Sequence, residues 1–87
     1  MTTKVVNKYK ESYDVYIGRG SKWGNPFIIG QHGNRQEVIE AYHAWITHGQ
    51  GVHLLKDLHE LKGKTLGCFC KPKACHGDIL ADLVNQF

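Results

Sequence analysis

Two short apolar runs open the chain. "KVVNK" and "YDVYIG" are rich in valine, isoleucine and tyrosine and are bounded by polar residues, which predicts strands near residues 3–7 and 13–18. The period then changes. In "RQEVIEAYHAWITHG", Val38, Ala41, Tyr42 and Trp45 recur at helical spacing with Ile39 and Ile46 beside them, an amphipathic helix closed by Gly49. "VHLLKDLHELKG" repeats the pattern through Leu54, Leu58 and Leu61 and stops at Gly63. "KTLGCFC" reads as a third strand. "CHGDILADLVNQF" reads as a last helix that buries Ile79, Leu80, Leu83 and Val84.

The predicted fold class is therefore α/β: a small sheet of about three strands with three helices, in the order β-β-α-α-β-α, as one domain over residues 1–87. If the second and third strands are parallel neighbours joined by the two-helix crossover, both following loops leave the carboxyl ends of their strands. Ligands bind at that edge of open α/β sheets. The loops are "RGSKWGNPF" and "KPKACHG", about fifty residues apart in sequence, and the topology predicts that they face one pocket.

Charge sharpens this reading. The chain carries a formal net charge of +3, but Gly18–Arg35 holds three cations and no acid, and Leu61–Gly77 holds four cations and no acid. The remaining residues are net acidic. Positive potential is thus concentrated on the two segments that composition already marks, which points to an anionic partner.

Within "GRGSKWGNP", the glycines permit positive φ and close backbone approach, and Arg19, Ser21 and Lys22 offer donors for phosphate or carboxylate oxygens. Trp23 offers a flat face for a base or ribose, and Asn25 carries both a donor and an acceptor. The ligand-binding candidates are Arg19, Gly20, Ser21, Lys22, Trp23, Gly24, Asn25 and Lys71. The competing reading of the same residues is a strand-exit turn with solvated charges and Trp23 in the core.

Strand alternation puts Leu66, Cys68 and Cys70 on one face and Gly67 and Phe69 on the other. Cys75 and His76 then begin the last helix. A thiol at a helix N-terminus among lysines is expected to have a lowered pKa, so Cys75 is the candidate nucleophile and His76 the candidate acid/base, while the helix start offers amides to an anion. Two other readings stand beside this one. The three thiols and His76 can be packing and capping residues, or Cys68, Cys70, Cys75 and His76 can hold zinc, although closely spaced Cys-x-Cys and adjacent Cys-His ligands fit a structural zinc site poorly.

Three cysteines cannot all pair, which suits a reducing, cytoplasmic setting. The N-terminus lacks the apolar stretch of a signal peptide, and no apolar run is long enough for a membrane span.

The two motifs together resemble domain-of-unknown-function family 4326, a group of small bacterial and bacteriophage proteins. The resemblance rests on "IGRGSKWGNPF", "VIEAYHAWI" and "ELKGKTLGCFCKPKACHGDILADL" and covers about Asp14 to Val84. Family-motif residues carried over are Arg19, Gly20, Ser21, Trp23, Gly24, Asn25, Pro26, Cys68, Cys70, Pro72, Cys75 and His76. Phe69 stands where the family often has tryptophan. The resemblance implies a compact α/β domain, frequently phage-encoded and then residing in host cytoplasm. A weaker similarity links "CKPKACHGDIL" to the Cys-His-Arg segment of another α/β family.

The leading expectation from sequence is one pocket for an anionic nucleotide or nucleotide-derived ligand. The rivals are an enzyme acting on a nucleotide through Cys75 or His76, a nucleic-acid-binding module using the basic segments with Trp23 and Phe27, and a zinc-stapled interaction domain.

Overall fold

The computed structural model describes residues 2–69 and 73–86. Its elements run β1 (Lys4–Asn7), β2 (Val15–Tyr16), α1 (Arg35–His48), a 3-10 helix (Val52–Leu61), β3 (Thr65–Cys68) and α2 (His76–Asn85). This is the expected order. The three strands form one sheet in the order β1-β3-β2, with β3 central and both pairings parallel. Cys70, the expected last residue of the third strand, lies outside the described residues.

The first two strands flank β3 rather than pairing with each other. Val5 and Val15 both lie beside Leu66, one on each side. Parallel neighbours normally need a crossover of a dozen residues or more. Here residues 8–14 pass from one side of β3 to the other, and Gly67 makes room, because a Cβ there would sit 2.6 Å from the Tyr13 ring.

The helix over residues 52–61 is 3-10 rather than α. Leu54, Leu58 and Leu61 are its buried residues, and Leu55 packs against the core beside them. Leu55, Leu58 and Leu61 recur every third residue, so they share one face of a helix with three residues per turn. Asp57 and Glu60 are likewise three apart.

One apolar cluster joins the Leu66 and Cys68 face of β3 to Ile17, to Tyr42 and Ile46 of α1, to Leu58 of the 3-10 helix, and to Leu80 and Val84 of α2. α1 begins at an Asn34 capping box, with Asn34 Oδ1 accepting from the Glu37 amide and Glu37 Oε1 from the Asn34 amide, both at 2.9 Å. Its first residue, Arg35, reaches across the molecule, and Nη1 donates to the Ala74 carbonyl at 3.0 Å. That bond ties the start of α1 to the segment leading into α2. No helix among the described residues is long and apolar enough to cross a membrane.

Candidate functional site

The loop after β2 is built from its own hydrogen bonds. Ile17 continues the ladder by donating to the Gly67 carbonyl at 3.0 Å, after which the Ser21 amide and hydroxyl both donate to the Gly18 carbonyl, at 3.1 and 2.7 Å. A second turn follows, with the Gly24 amide donating to the Ser21 carbonyl at 3.1 Å. Glycine is required at two of these positions. Gly20 has φ of +96°, and a Cβ on Gly24 would lie 2.8 Å from the Gly18 oxygen.

These turns send the side chains in different directions. Trp23 is 3% exposed and belongs to the apolar core, and its carbonyl accepts the Tyr42 hydroxyl at 2.8 Å. The expected stacking role is therefore corrected: the indole packs inside the protein, because an apolar ring of this size gains more from burial than from exposure. Lys22 pairs with Glu60 at 2.9 Å and Asp57 at 3.3 Å, and the Glu60 carboxylate, joined by Asp57, holds its pKa above the ordinary lysine value. It is neutralised by the 3-10 helix and does not line the cleft described below. Ser21 is likewise spent within the turn.

Asn25 performs structural work at the rim. Its Nδ2 donates to the Val38 carbonyl at 3.1 Å and its Oδ1 accepts from the Phe27 amide at 2.9 Å, locking the loop to α1. Arg19 differs from all of these. Its side chain is exposed, and among the described residues it makes no hydrogen bond or ion pair, although its carbonyl accepts from the Tyr16 hydroxyl at 3.1 Å.

The second segment meets this loop. A cleft of about 340 Å³ is lined by Gly18, Arg19 and Asn25 from the first segment and by Cys68, Phe69, Ala74, Cys75 and His76 from the second. Thus the two motifs do share one concavity at the carboxyl ends of β2 and β3. The remaining wall comes from Phe27, Ile28, Ile29, Val38 and Ile39, with Arg35 among the lining residues. Arg35 was visible in the sequence only as a charge, since nothing local marks a residue whose contacts lie across the fold. Lys71, Cys70 and Pro72 fall outside the described residues.

Cys75 is the N-cap of α2. Its Sγ accepts from the Asp78 amide, and an Asp78 carboxylate oxygen accepts from the Cys75 amide at 3.1 Å. The helix start is therefore capped by the protein itself, and Asp78 places a carboxylate there, against the expectation of amides open to an anion. Cys75 is 2% exposed, with Sγ 3.0 Å from Cys68 Sγ. The hydrogen bond with Cys68 first, then burial, pushes the Cys75 thiol well above its ordinary pKa, outweighing the Gly77 amide that acts the other way. The expected lowered pKa is thus corrected: Cys75 is a buried neutral thiol at neutral pH.

His76 lies on the edge of the Tyr42 ring, with centroids 4.9 Å apart, and its Nε2 donates to the Ile17 carbonyl at 2.7 Å. Burial holds its pKa below the ordinary value, partly offset by the carbonyls of Ile17 and Trp23 and by the Asp78 charge. The imidazole thus bolts α2 to the strand-exit loop. Unfolded chain takes up a proton here near pH 6.5, whereas the folded chain holds this ring neutral to lower pH. In that window the unfolded state binds more protons, so stability falls as pH drops through 6.5. Urea midpoints of wild type should decline from pH 7.5 to 5.5, and His76→Gln should decline less; equal losses would place the acid sensitivity elsewhere.

Among the described residues, no group of three or more histidine, cysteine, aspartate or glutamate side chains converges as a metal site. The expected zinc set includes Cys70, which lies outside them.

The fold defines a small α/β protein with a carboxyl-edge cleft lined by residues of two sequence motifs. The chain belongs to the family described as Domain of unknown function (DUF4326), whose profile matches residues 2–86. It is 45% identical over 85 residues to an uncharacterized 12.4 kDa protein in the nrdA-td intergenic region of Enterobacteria phage T4, covering 95% of this chain and 78% of that one. It is also 37% identical over 95 residues to uncharacterized protein R718 of Acanthamoeba polyphaga mimivirus, covering 88% of this chain and 71% of that one. No solved structure matches. Both relatives are viral proteins, one of them from a bacteriophage.

Proposed function

We propose that the cleft between the Gly18–Pro26 loop and the start of α2 binds a small anionic ligand, a nucleotide or nucleotide-derived metabolite. Arg19 takes the anionic end. The observation that carries this reading is the Arg19 guanidinium, exposed and without a partner among the described residues, on a self-braced loop beside a concavity lined largely by apolar residues. Lys22 and Ser21 stabilise the loop instead of holding phosphate, which leaves Arg19 as the first motif's donor and adds Arg35 as a second cation.

The apolar wall suits a base or another planar group. Phe69, 47% exposed on the cleft, takes the stacking role that Trp23 does not fill. A volume near 340 Å³ lies in the range of small-molecule sites. The neutral Cys75 thiol and the carbonyl-bound His76 favour binding over nucleophilic turnover. Calorimetric titration with nucleoside mono-, di- and triphosphates tests the reading. Saturable binding of one ligand with mild salt dependence is expected; absence of binding across the panel would overturn it.

One observation favours a second reading, binding of single-stranded nucleic acid. Lys8 Nζ lies 4.5–5.1 Å from the ring centroids of Phe69, Tyr16 and Tyr9, and Tyr9 is 74% exposed. Cations interleaved with exposed rings form stacking platforms for bases. This reading requires oligonucleotide affinity that falls steeply with salt, carried by Tyr9 and Phe69 rather than by the buried Trp23.

A further inference from the structure

The binding proposal makes no use of the two thiols on the cleft floor, yet their placement carries chemistry of its own. Cys68 ends the central strand and Cys75 caps α2, so the fold brings together two residues seven positions apart. Their sulfurs are 3.0 Å apart, the residues are 1% and 2% exposed, and both line the cleft. Both are in the thiol form.

We propose that Cys68 and Cys75 form a redox-active dithiol that converts reversibly to an intramolecular disulfide by exchange with a small disulfide of the glutathione class. The cleft supplies the path to the sulfurs. In the first step one cysteine, as thiolate, attacks the reagent disulfide, forming a mixed disulfide and expelling one reagent thiolate. In the second step the other cysteine, deprotonated in turn, attacks the protein sulfur of that mixed disulfide and expels the second reagent thiolate. The two protons lost by the cysteines are taken up by the two expelled thiolates. One reagent S–S bond is broken and one protein S–S bond made; the cysteine pair is oxidised by two electrons and the reagent is reduced by two. A dithiol such as dithiothreitol reverses the sequence.

Geometry supports the second step above all. A disulfide needs sulfurs about 2.05 Å apart, so closure requires a movement of roughly 1 Å from the reduced contact. Because the partner thiol is already in contact, resolution of the mixed disulfide is intramolecular and outpaces its accumulation. Cys68 is held by the sheet and Cys75 by the capping box, so the encounter needs no rearrangement of the fold. The high thiol pKa sets the rate of the first attack, which rises with pH.

The test uses the full chain carrying Cys70→Ser, to remove the third thiol, in glutathione buffers of graded ratio with a chelator present. Samples are quenched in acid, alkylated and weighed intact. The expected result is a single transition from two alkylated cysteines to none, with a mass lower by two hydrogens, no retained glutathione, and full reversal by dithiothreitol. Two alkylatable thiols in oxidised glutathione alone, or a persistent adduct on one cysteine, would overturn the proposal. Wild type, read in parallel by cleavage after Lys73, covers the case of a variant that does not fold. There the Cys75 peptide must be joined to the peptide containing Cys68; a bridge within the Cys68 and Cys70 peptide, with Cys75 alkylated, would equally overturn it.

Discussion

Trp23→Ala is expected to lower stability by about 3–5 kcal/mol, the range for emptying a buried large aromatic site. Folded proteins are stable by only about 5–15 kcal/mol, so the variant sits at the edge of folding at 25 °C. The thermal midpoint should fall by roughly 15 °C or more. Two physical contributions add. The indole leaves a cavity in the cluster that contains Tyr42 and Leu58, and the Trp23 carbonyl that accepts the Tyr42 hydroxyl loses its fixed position. Thermal unfolding followed by circular dichroism checks this. A variant with an unchanged midpoint would mean that the indole packs nowhere and would return it to the ligand.

Arg19→Ala is expected to behave in the opposite way. The side chain is exposed and lacks partners among the described residues, so its removal should change stability by no more than about 0.5 kcal/mol. Ligand affinity should fall by about tenfold to a hundredfold, which corresponds to one or more lost charge-assisted hydrogen bonds of about 1.5–3 kcal/mol. Lys22→Ala in the same loop is the internal control. Its partners are Asp57 and Glu60, on the 3-10 helix, so affinity for the nucleotide should stay close to wild type. Equal losses in the two variants would show that the effect is general electrostatic attraction rather than contact with the ligand. Calorimetric titration of wild type and the two variants under one buffer condition separates these outcomes.

Local patterning made much of the fold legible. In α1 the spacing places Val38 and Tyr42 inside correctly, but Ala41 and Trp45 are only partly buried and Ile46, read as flanking the stripe, is fully buried; in α2 Leu80 and Val84 are buried and Ile79 and Leu83 partly so. Strand alternation placed Leu66 and Cys68 inside and Phe69 outside. Spacing could not distinguish the 3-10 from the α form for Val52–Leu61, since Leu54, Leu58 and Leu61 satisfy an α stripe while Leu55, Leu58 and Leu61 satisfy the tighter one. The insertion of β3 between β1 and β2 was also hidden, because it depends on Tyr13 meeting Gly67, a contact between distant residues.

The site shows the same division. Convergence of the two motifs follows from the order of elements and from the parallel pairing of β2 with β3. Side-chain roles do not. Lys22 looks like a phosphate donor until Asp57 and Glu60 are brought beside it, and Cys75 looks like an activated thiol until Cys68 is 3.0 Å away. Trp23 and Arg35 exchange places for a related reason. Hydrophobicity and charge state what a residue can do, but burial decides which of these it does.

The central claim is that the two motifs form one ligand site. Amide chemical shifts of isotopically labelled protein, followed during titration with the nucleotide that binds, test it most directly. The expected result is that resonances of Arg19, Asn25, Arg35, Ala74 and His76 move together and saturate at one ligand per chain. Shifts confined to one of the two segments, or centred on Lys8–Tyr13 with the cleft silent, would contradict it.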